Sequence, residues 1–257
     1  MKIKKDEKRK ASEKLNKERG CLVVKRNDFV QNSHHQLSLL EQKIILFVIS
    51  KIKPLDTDFT EQLFSIADFC RFCGLDEKNG KNYRNLKDAL GKLLSRYVWI
   101  SLDNGSITSL RWVDKVTINK GSGIIQLKLD KDLKPYFLQL EEQYTLYELR
   151  YILSMRSQYS VRLYELLKSY SYKKNVVFEV NELKRLLFSE NWERNNDFKR
   201  KVLDIAVREI NEFSDIFVEY IFQKDGRRFS KVWFAIDRKE AYDRFMVGEK
   251  VNRLLSK

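Results

Sequence analysis

Apolar positions along the chain follow two rhythms, and the order in which the rhythms appear occurs twice. From Leu37 to Ile52 (LSLLEQKIILFVISKI) they recur every three or four residues, which predicts a helix capped at Ser33 or Ser38 and stopped before Pro54. Phe64 to Cys73 predicts a second helix ending at Gly74. Asn82 to Tyr97 predicts a third, with Leu86, Leu90, Leu93 and Leu94 on its apolar side and Lys81, Arg84, Lys87 and Lys92 on its polar side. Cys21 to Val30, Val98 to Leu102, Leu110 to Asn119 and Ile124 to Leu129 carry strand patterns, the last three separated by the turn signals Asn104-Gly105 and Gly121-Ser122-Gly123.

The second half restates this order. Thr145 to Tyr170 is largely helical in pattern, and Arg156-Ser157-Gln158 is a polar interruption where a domain boundary is placed. Phe178 to Phe188 (FEVNELKRLLF) predicts a short strand and a helix carrying Leu183, Leu186 and Leu187. A long helix and a β-hairpin follow between Asn195 and Ile236. Helix, turn, long basic helix and hairpin is the order of a winged helix-turn-helix. Duplication of one architecture explains the repeat most economically, although the halves share the pattern rather than the residues. The expected fold class is α+β, as tandem winged-helix domains over 21–156 and 157–237, between a flexible basic arm (1–20) and a tail (238–257).

In the long helix, Asp197 is the expected N-cap, and Phe198, Val202, Ala206, Ile210 and Phe213 form one apolar stripe that Leu203 widens. Arg200, Asp204, Arg208 and Asn211 fall on the opposite face, Lys201 at its edge, and Lys199 near the apolar sector. About seventeen residues make a rod of roughly 25 Å, which fits a DNA major groove about 12 Å wide. Arg there can take two acceptors of guanine, and Asn can pair with adenine. A solvated charged face on an ordinary surface helix fits the same pattern equally well.

The hairpin favours the first reading. Phe217 to Gln223 and Phe229 to Ile236 flank the turn signal Asp225-Gly226, and Lys224, Arg227, Arg228 and Lys231 gather near the tip. A tight two-residue loop at Asp225-Gly226 puts Lys231 on the face of Tyr220 and Phe222. A loop with an odd residue count instead aligns Val218, Tyr220 and Phe222 with Val232, Phe234 and Ile236; that register buries the cleaner set and is preferred.

Composition changes the picture in one respect. Net charge is +14 over 257 residues, yet residues 1–20 hold about +5, residues 238–257 about +3, and 157–237 only about +2. Bulk charge favours any polyanion, so specific DNA binding has to rest on local placement. No apolar run approaches the ~20 residues of a membrane span. A charged N-terminus without an apolar signal region and three cysteines outside any even framework fit a reducing cytoplasm. No catalytic or metal site and no cofactor is expected. Cys70-Arg71-Phe72-Cys73 lacks the second pair or the histidines that zinc wants, so core thiols are favoured. The adjacent His34 and His35 lack the spacing of a metal-binding His-hydrophobic-His, and no GxxxxGK[ST] loop cradles phosphate.

The segment Ser157-Gln158-Tyr159-Ser160-Val161-Arg162-Leu163-Tyr164-Glu165-Leu166-Leu167 resembles a signature of the initiator Rep proteins of theta-replicating, iteron-containing plasmids. Asp197 through Asn211 resembles that family's recognition helix, and the strand ending Ser230-Lys231-Val232-Trp233-Phe234 resembles its wing. The likeness runs from about Leu22 to Ile236. It implies that the second domain reads a repeated origin sequence in double-stranded DNA, while the first touches neighbouring DNA and forms a homodimer interface. It implies further that the monomer helps to open the origin, the dimer represses its own gene, and the host initiator and replicative helicase are recruited. Neither the arm nor the tail belongs to the shared pattern.

The residues expected to touch DNA are Arg200, Lys201 and Arg208, with Lys199 and Asn211 secondary, from the helix. Lys224, Arg227, Arg228 and Lys231 are expected to hold phosphates from the wing, and Arg84 and Lys87 to act from the first domain. A winged-helix transcriptional repressor with no replication role, or a protein whose basic face takes an acidic protein partner, fits the physical features too.

Overall fold

The computed structural model describes residues 13–53, 55–119, 121–226 and 228–256. The first half runs from α1 (residues 13–19) through β1 (Leu22–Arg26), α2 (Asn27–Asn32), β2 (Ser33–His35), α3 (Leu39–Ile49), β3 (Gln62–Ser65), α4 (Ile66–Phe72) and α5 (Gly80–Leu93). It continues through β4 (Tyr97–Ser101), β5 (Ile107–Arg111), β6 (Val113–Ile118), β7 (Ile124–Leu129), α6 (Lys134–Phe137), β8 (Tyr144–Glu148) and α7 (Arg150–Leu153). The second half holds α8 (Gln158–Ser169), β9 (Asn175–Glu179), α9 (Val180–Leu186), α10 (Asn195–Phe198), α11 (Asp204–Phe213), β10 (Ile216–Asp225), β11 (Arg228–Arg238) and α12 (Ala241–Leu255).

The two halves are one architecture used twice. Helix α3, strand β3, helices α4 and α5 and strands β6 and β7 have counterparts in α8, β9, α9, α10–α11, β10 and β11. The sheets β3-β7-β6 and β9-β11-β10 share their order, the strand before the second helix pairing with the last strand. Aligned this way, the duplication also shows in residues. Phe64-Ser65-Ile66-Ala67-Asp68-Phe69 overlies Phe178-Glu179-Val180-Asn181-Glu182-Leu183. Phe64 faces Ile125 as Phe178 faces Val232. Asp68–Arg71 and Glu182–Arg185 are equivalent ion pairs one helical turn apart. The first half adds the hairpin β4–β5, which takes β2 as a third strand.

Several sequence expectations need correction. Cys21 to Val30 is strand only to Arg26, and α2 follows directly. Thr145 to Tyr170 is not helical at its start: burial alternates along Tyr144–Glu148 with the period of two that a strand imposes, and this strand pairs with β1. The segment Leu110 to Asn119 is two strands, broken at Trp112, whose ring is buried edge-on against Phe29 and His35. The arm is not flexible over residues 13–20. Residues 13–19 are helical and Arg19 is wholly buried; positions 1–12 lie outside the described residues. The tail is mostly the helix α12, packed on α7 and α11. Of the two candidate caps for α3, Ser38 is used, in a capping box with Glu41.

One apolar core runs through both halves, and α8 is its axis. Val161, Leu163, Tyr164, Leu166 and Leu167 are completely buried. Two charged groups on the same helix are buried as well. The Glu165 carboxylate meets Lys25 Nζ at 2.7 Å and accepts from the Tyr147 hydroxyl. Arg162 donates to the carbonyls of Val30 (2.8 Å), Ser33 and Leu186 (3.2 Å). Burial pulls the Lys25 ammonium below its usual range even with Glu165 beside it. No described helix is long and apolar enough to cross a membrane.

Breaking a buried pair from one side costs more than the pair contributes, because a charge is left stranded. Glu165→Leu is therefore expected to destabilise the fold by about 3–5 kcal/mol in urea unfolding. Adding Lys25→Met to the same chain should recover a large part of that loss; no recovery would show that the pair is not coupled.

Candidate nucleic-acid interface

The second half presents its longest helix, residues 195–213, between α9 and the β10–β11 wing. It begins at Asn195 rather than after Asp197. Asp197 is not its N-cap; it lies in the first turn, where an acid suits the positive end of the helix, and accepts from Arg200 Nη2 at 3.3 Å. Asn195 fastens the start of the helix: its side-chain oxygen accepts from Lys184 Nζ (2.9 Å) and its amide donates to the Phe229 carbonyl (3.4 Å). Between α10 and α11, Lys199–Leu203 form a π turn. Bonding from i to i+5 stacks residues five apart, which brings Phe198 and Leu203 onto the same buried side. The basic triplet Lys199-Arg200-Lys201 sits on this turn.

The buried stripe is the expected one: Phe198, Val202, Leu203, Ala206 and Ile210 are fully buried, and Phe213 partly. Glu209 pins the helix to α8, accepting from the amides of Arg156 (3.1 Å) and Ser157 (3.2 Å) at that helix's N-terminus. Asp215, just past the helix, accepts from Tyr164 at 2.8 Å and pairs with Lys168. Arg200, Lys201, Asp204 and Arg208 are left facing outward. The Arg200 side chain is 73% exposed. Arg208 has no partner among the described residues, and the Lys201 ammonium lies 4.5 Å from the centre of the Trp192 ring.

The two secondary candidates of this helix have structural duties instead. Asn211 brackets Val218 at the start of the wing, donating to its carbonyl (2.9 Å) and accepting from its amide (2.7 Å), so its amide is not free to pair with adenine. Lys199 binds the Asp204 carboxylate at 2.9 and 3.0 Å and lies over the Tyr220 ring. The Tyr220 hydroxyl donates to the same carboxylate, and burial together with that bond pushes its pKa up. Lys199, Asp204 and Tyr220 thus weld the helix to the base of the wing.

The wing has the preferred register: Val218 faces Ile236, Tyr220 faces Phe234 and Phe222 faces Val232. The odd count arises from two features. Asp225 pairs with Arg228 around a tight turn in which Gly226 has φ of 57°; a bulge then leaves Ser230 without a strand partner between Lys231 and Phe229. The bulge keeps Lys231 on the outer face, opposite Tyr220 and Phe222. There it pairs with Glu179 at 3.4 Å, which makes it a weaker phosphate ligand than a free lysine. Lys224 is exposed and lies over the Phe229 ring. Arg227 and the side chain of Arg228 lie outside the described residues.

In the first half, α5 occupies the place of the long helix, its N-terminus capped by Asn79. Lys81, Arg84 and Lys87 line its exposed side, and neither Arg84 nor Lys87 has a partner among the described residues. Two residues of the second half escaped the sequence reading. Arg194 and Asn196 are exposed at the mouth of the long helix, a position that an N-cap at Asp197 does not give them. The buried thiols are poor nucleophiles: burial raises Cys70 and pushes Cys73 up to about 12. Among the described residues no group of three His, Cys, Asp or Glu side chains could hold a metal.

The profile of the family described as "Initiator Replication protein, WH1" matches residues 22–168, and that of "Initiator Rep protein, WH2" matches 179–236. The chain belongs to the initiator replication protein family. It is 26% identical over 230 residues to a "Replication initiation protein" of Escherichia coli, covering 84% of this chain and 70% of that one. It is also 29% identical over 118 residues to an "Uncharacterized 27.6 kDa protein" of Escherichia coli, covering 45% of this chain and 49% of that one. Among solved structures, the Pi initiator protein in complex with iteron DNA superposes with a TM-score of 0.70 at 22% identity, over 86% of this chain and 99% of that chain. That likeness shows the same tandem winged-helix fold. The first profile runs through α8, and neither profile includes α1 or α12.

Because Asn211 holds the wing, Asn211→Ala should lower stability by about 1–3 kcal/mol by leaving the Val218 amide and carbonyl unpaired. Thermal unfolding measures this. The sequence preference of DNA binding should not change; a change confined to one base pair would return Asn211 to the reading surface.

Proposed function

We propose that this chain is a plasmid replication initiator that binds repeated double-stranded DNA sites at an origin and acts without catalytic chemistry of its own. The observation that carries this reading is the pairing of two winged-helix modules in one core, each with an outward-facing basic helix. The long helix of the second half enters the major groove, and Arg200, Lys201 and Arg208 read or grip the bases, joined by Arg194 at its mouth. The wing tip, with Lys224, Arg227 and Arg228, holds phosphates, and Lys231 does so in exchange for Glu179. Arg84 and Lys87 of α5 hold the neighbouring DNA. Family membership and the complex formed by the Pi initiator support this assignment.

Self-association through the first domain belongs to the same reading. Strand β5 is a free sheet edge, and Tyr97, Trp99 and Ile107 stand exposed on one face beside it, 47%, 45% and 61%. Such a surface suits a second copy. A dimer that represses its own gene, a monomer active at the origin, and recruitment of the host initiator and helicase complete the proposal, which places the protein on plasmid DNA in the bacterial cytoplasm.

Footprinting the DNA that flanks the gene tests the central claim. Protection of several direct repeats is expected, whereas protection of a lone inverted repeat over the promoter would point to a plain repressor. Within a protected repeat, Arg200→Ala and Arg208→Ala should each cost about 1–3 kcal/mol and relax specificity at one position. Lys224→Ala should weaken all sequences alike and reduce the salt slope by about one. Unchanged preference in Arg200→Ala would refute the assignment of the helix face.

A further inference from the structure

The two terminal segments lie outside both family profiles, yet they meet each other and both halves. Arg19, at the end of α1, is wholly buried. Its Nε donates to the Phe72 carbonyl at 3.0 Å, and its Nη2 donates to the carbonyls of Arg71 (2.8 Å) and Leu255 (3.0 Å). One guanidinium thus neutralises the negative ends of α4, in the first domain, and of α12. The seam is close at the backbone as well. Gly74 has φ of 68°, and a Cβ there would sit 2.9 Å from Leu255 Cα. The Arg150 guanidinium threads between Gly20 and Gly248, where added Cβ atoms would lie 2.3 Å and 3.3 Å from it.

The segment just before α12 and the helix itself also hold the second domain. Lys239 donates to the carbonyls of Asn211 (2.5 Å) and Ser214 (2.8 Å), at the end of the long helix. Lys250 pairs with Glu212 at 2.8 Å and lies over the Phe213 ring. Helix α12 therefore spans from the DNA-facing helix of the second domain to α4 of the first, whose neighbour α5 carries Arg84 and Lys87.

We infer that α1 and α12 form a clasp that fixes the two DNA-facing helices relative to each other, with Arg19 as its positioning residue. The inference rests on the proposed reading of both domains as DNA readers. Two modules held in the correct geometry bind a continuous site as one, because the second contact forms at high effective concentration. Loosening the clasp leaves each module intact and removes that advantage.

Fluorescence anisotropy at fixed salt tests this with three duplexes: the complete footprinted repeat, and each half protected by one domain. The wild-type chain is expected to bind the complete repeat far more tightly than either half. Arg19→Met should weaken binding to the complete repeat about tenfold or more while binding to the halves stays within about twofold. Gly74→Val, which keeps Arg19 but drives Leu255 away, should do the same, and Arg19→Lys should restore part of the affinity. Thermal unfolding identifies a variant that has lost its fold, in which case the other variant decides. Full affinity for the complete repeat in both variants would overturn the clasp, as would equal losses on the complete and half duplexes. A wild-type chain that binds complete and half repeats equally would instead overturn the two-domain reading of function.

Discussion

Arg162 and Glu165 place two opposite charges inside the core of α8, one turn apart, where neither survives without partners from other elements. Arg162 finds carbonyls on α2 and β2 in the first half and on α9 in the second. Glu165 finds Lys25 on β1 and Tyr147 on β8. These partners come together only when both halves have folded around α8. The helix is therefore the first helix of the second winged domain and also part of the first domain's core, so it joins the two halves at one seam, while α1 and α12 join them at another. The SQYSVRLYELL segment has this physical content: a capping serine, an apolar stripe, and polar groups aimed at both domains.

The long helix depends on that axis. Glu209 uses the N-terminal amides of α8, Asp215 uses Tyr164 and Lys168, and the wing is fastened by Asn211 and by the Lys199–Asp204–Tyr220 group. A helix held at both ends and along one side presents its remaining side chains in a fixed geometry, which recognition of base edges requires. The π turn at Lys199–Leu203 fits this arrangement. It moves an extra residue into the buried stripe and crowds the basic triplet onto one wide turn.

Much of the fold was legible because it was written in periodicity. The apolar stripe of residues 198–213, the register of the wing and the repeat of helices and hairpins all follow from side-chain spacing. The parts that were missed depend on partners distant in sequence. Tyr144–Glu148 carries a short alternation inside a longer apolar stretch, and only its pairing with β1 makes it a strand. Residues 13–20 are so rich in charge that they resemble an arm, and only the carbonyls of Arg71, Phe72 and Leu255 explain why Arg19 is buried. In the candidate site, exposure could be read from helical phase, but commitment could not. Asn211 and Arg208 share a face, yet one is bound to the wing and the other has no partner among the described residues.

That distinction decides how the charges can be used. The second domain is nearly neutral, so the proposed grip on DNA rests on cations whose present partners are easily given up. An exposed ion pair such as Arg200–Asp197 is worth about 0.2–1 kcal/mol, less than the ~1–3 kcal/mol of discrimination from a bidentate contact with guanine. On the proposed reading, exchange therefore favours DNA at Arg200. Lys231 faces a similar exchange with Glu179, but for a single phosphate contact, so its net gain is smaller. Lys199 has the least to gain, since leaving Asp204 would also uncover the Tyr220 bond that joins helix and wing. The order Arg208 and Arg200 first, Lys231 later and Lys199 last follows from what each side chain must release, and net charge alone does not contain it.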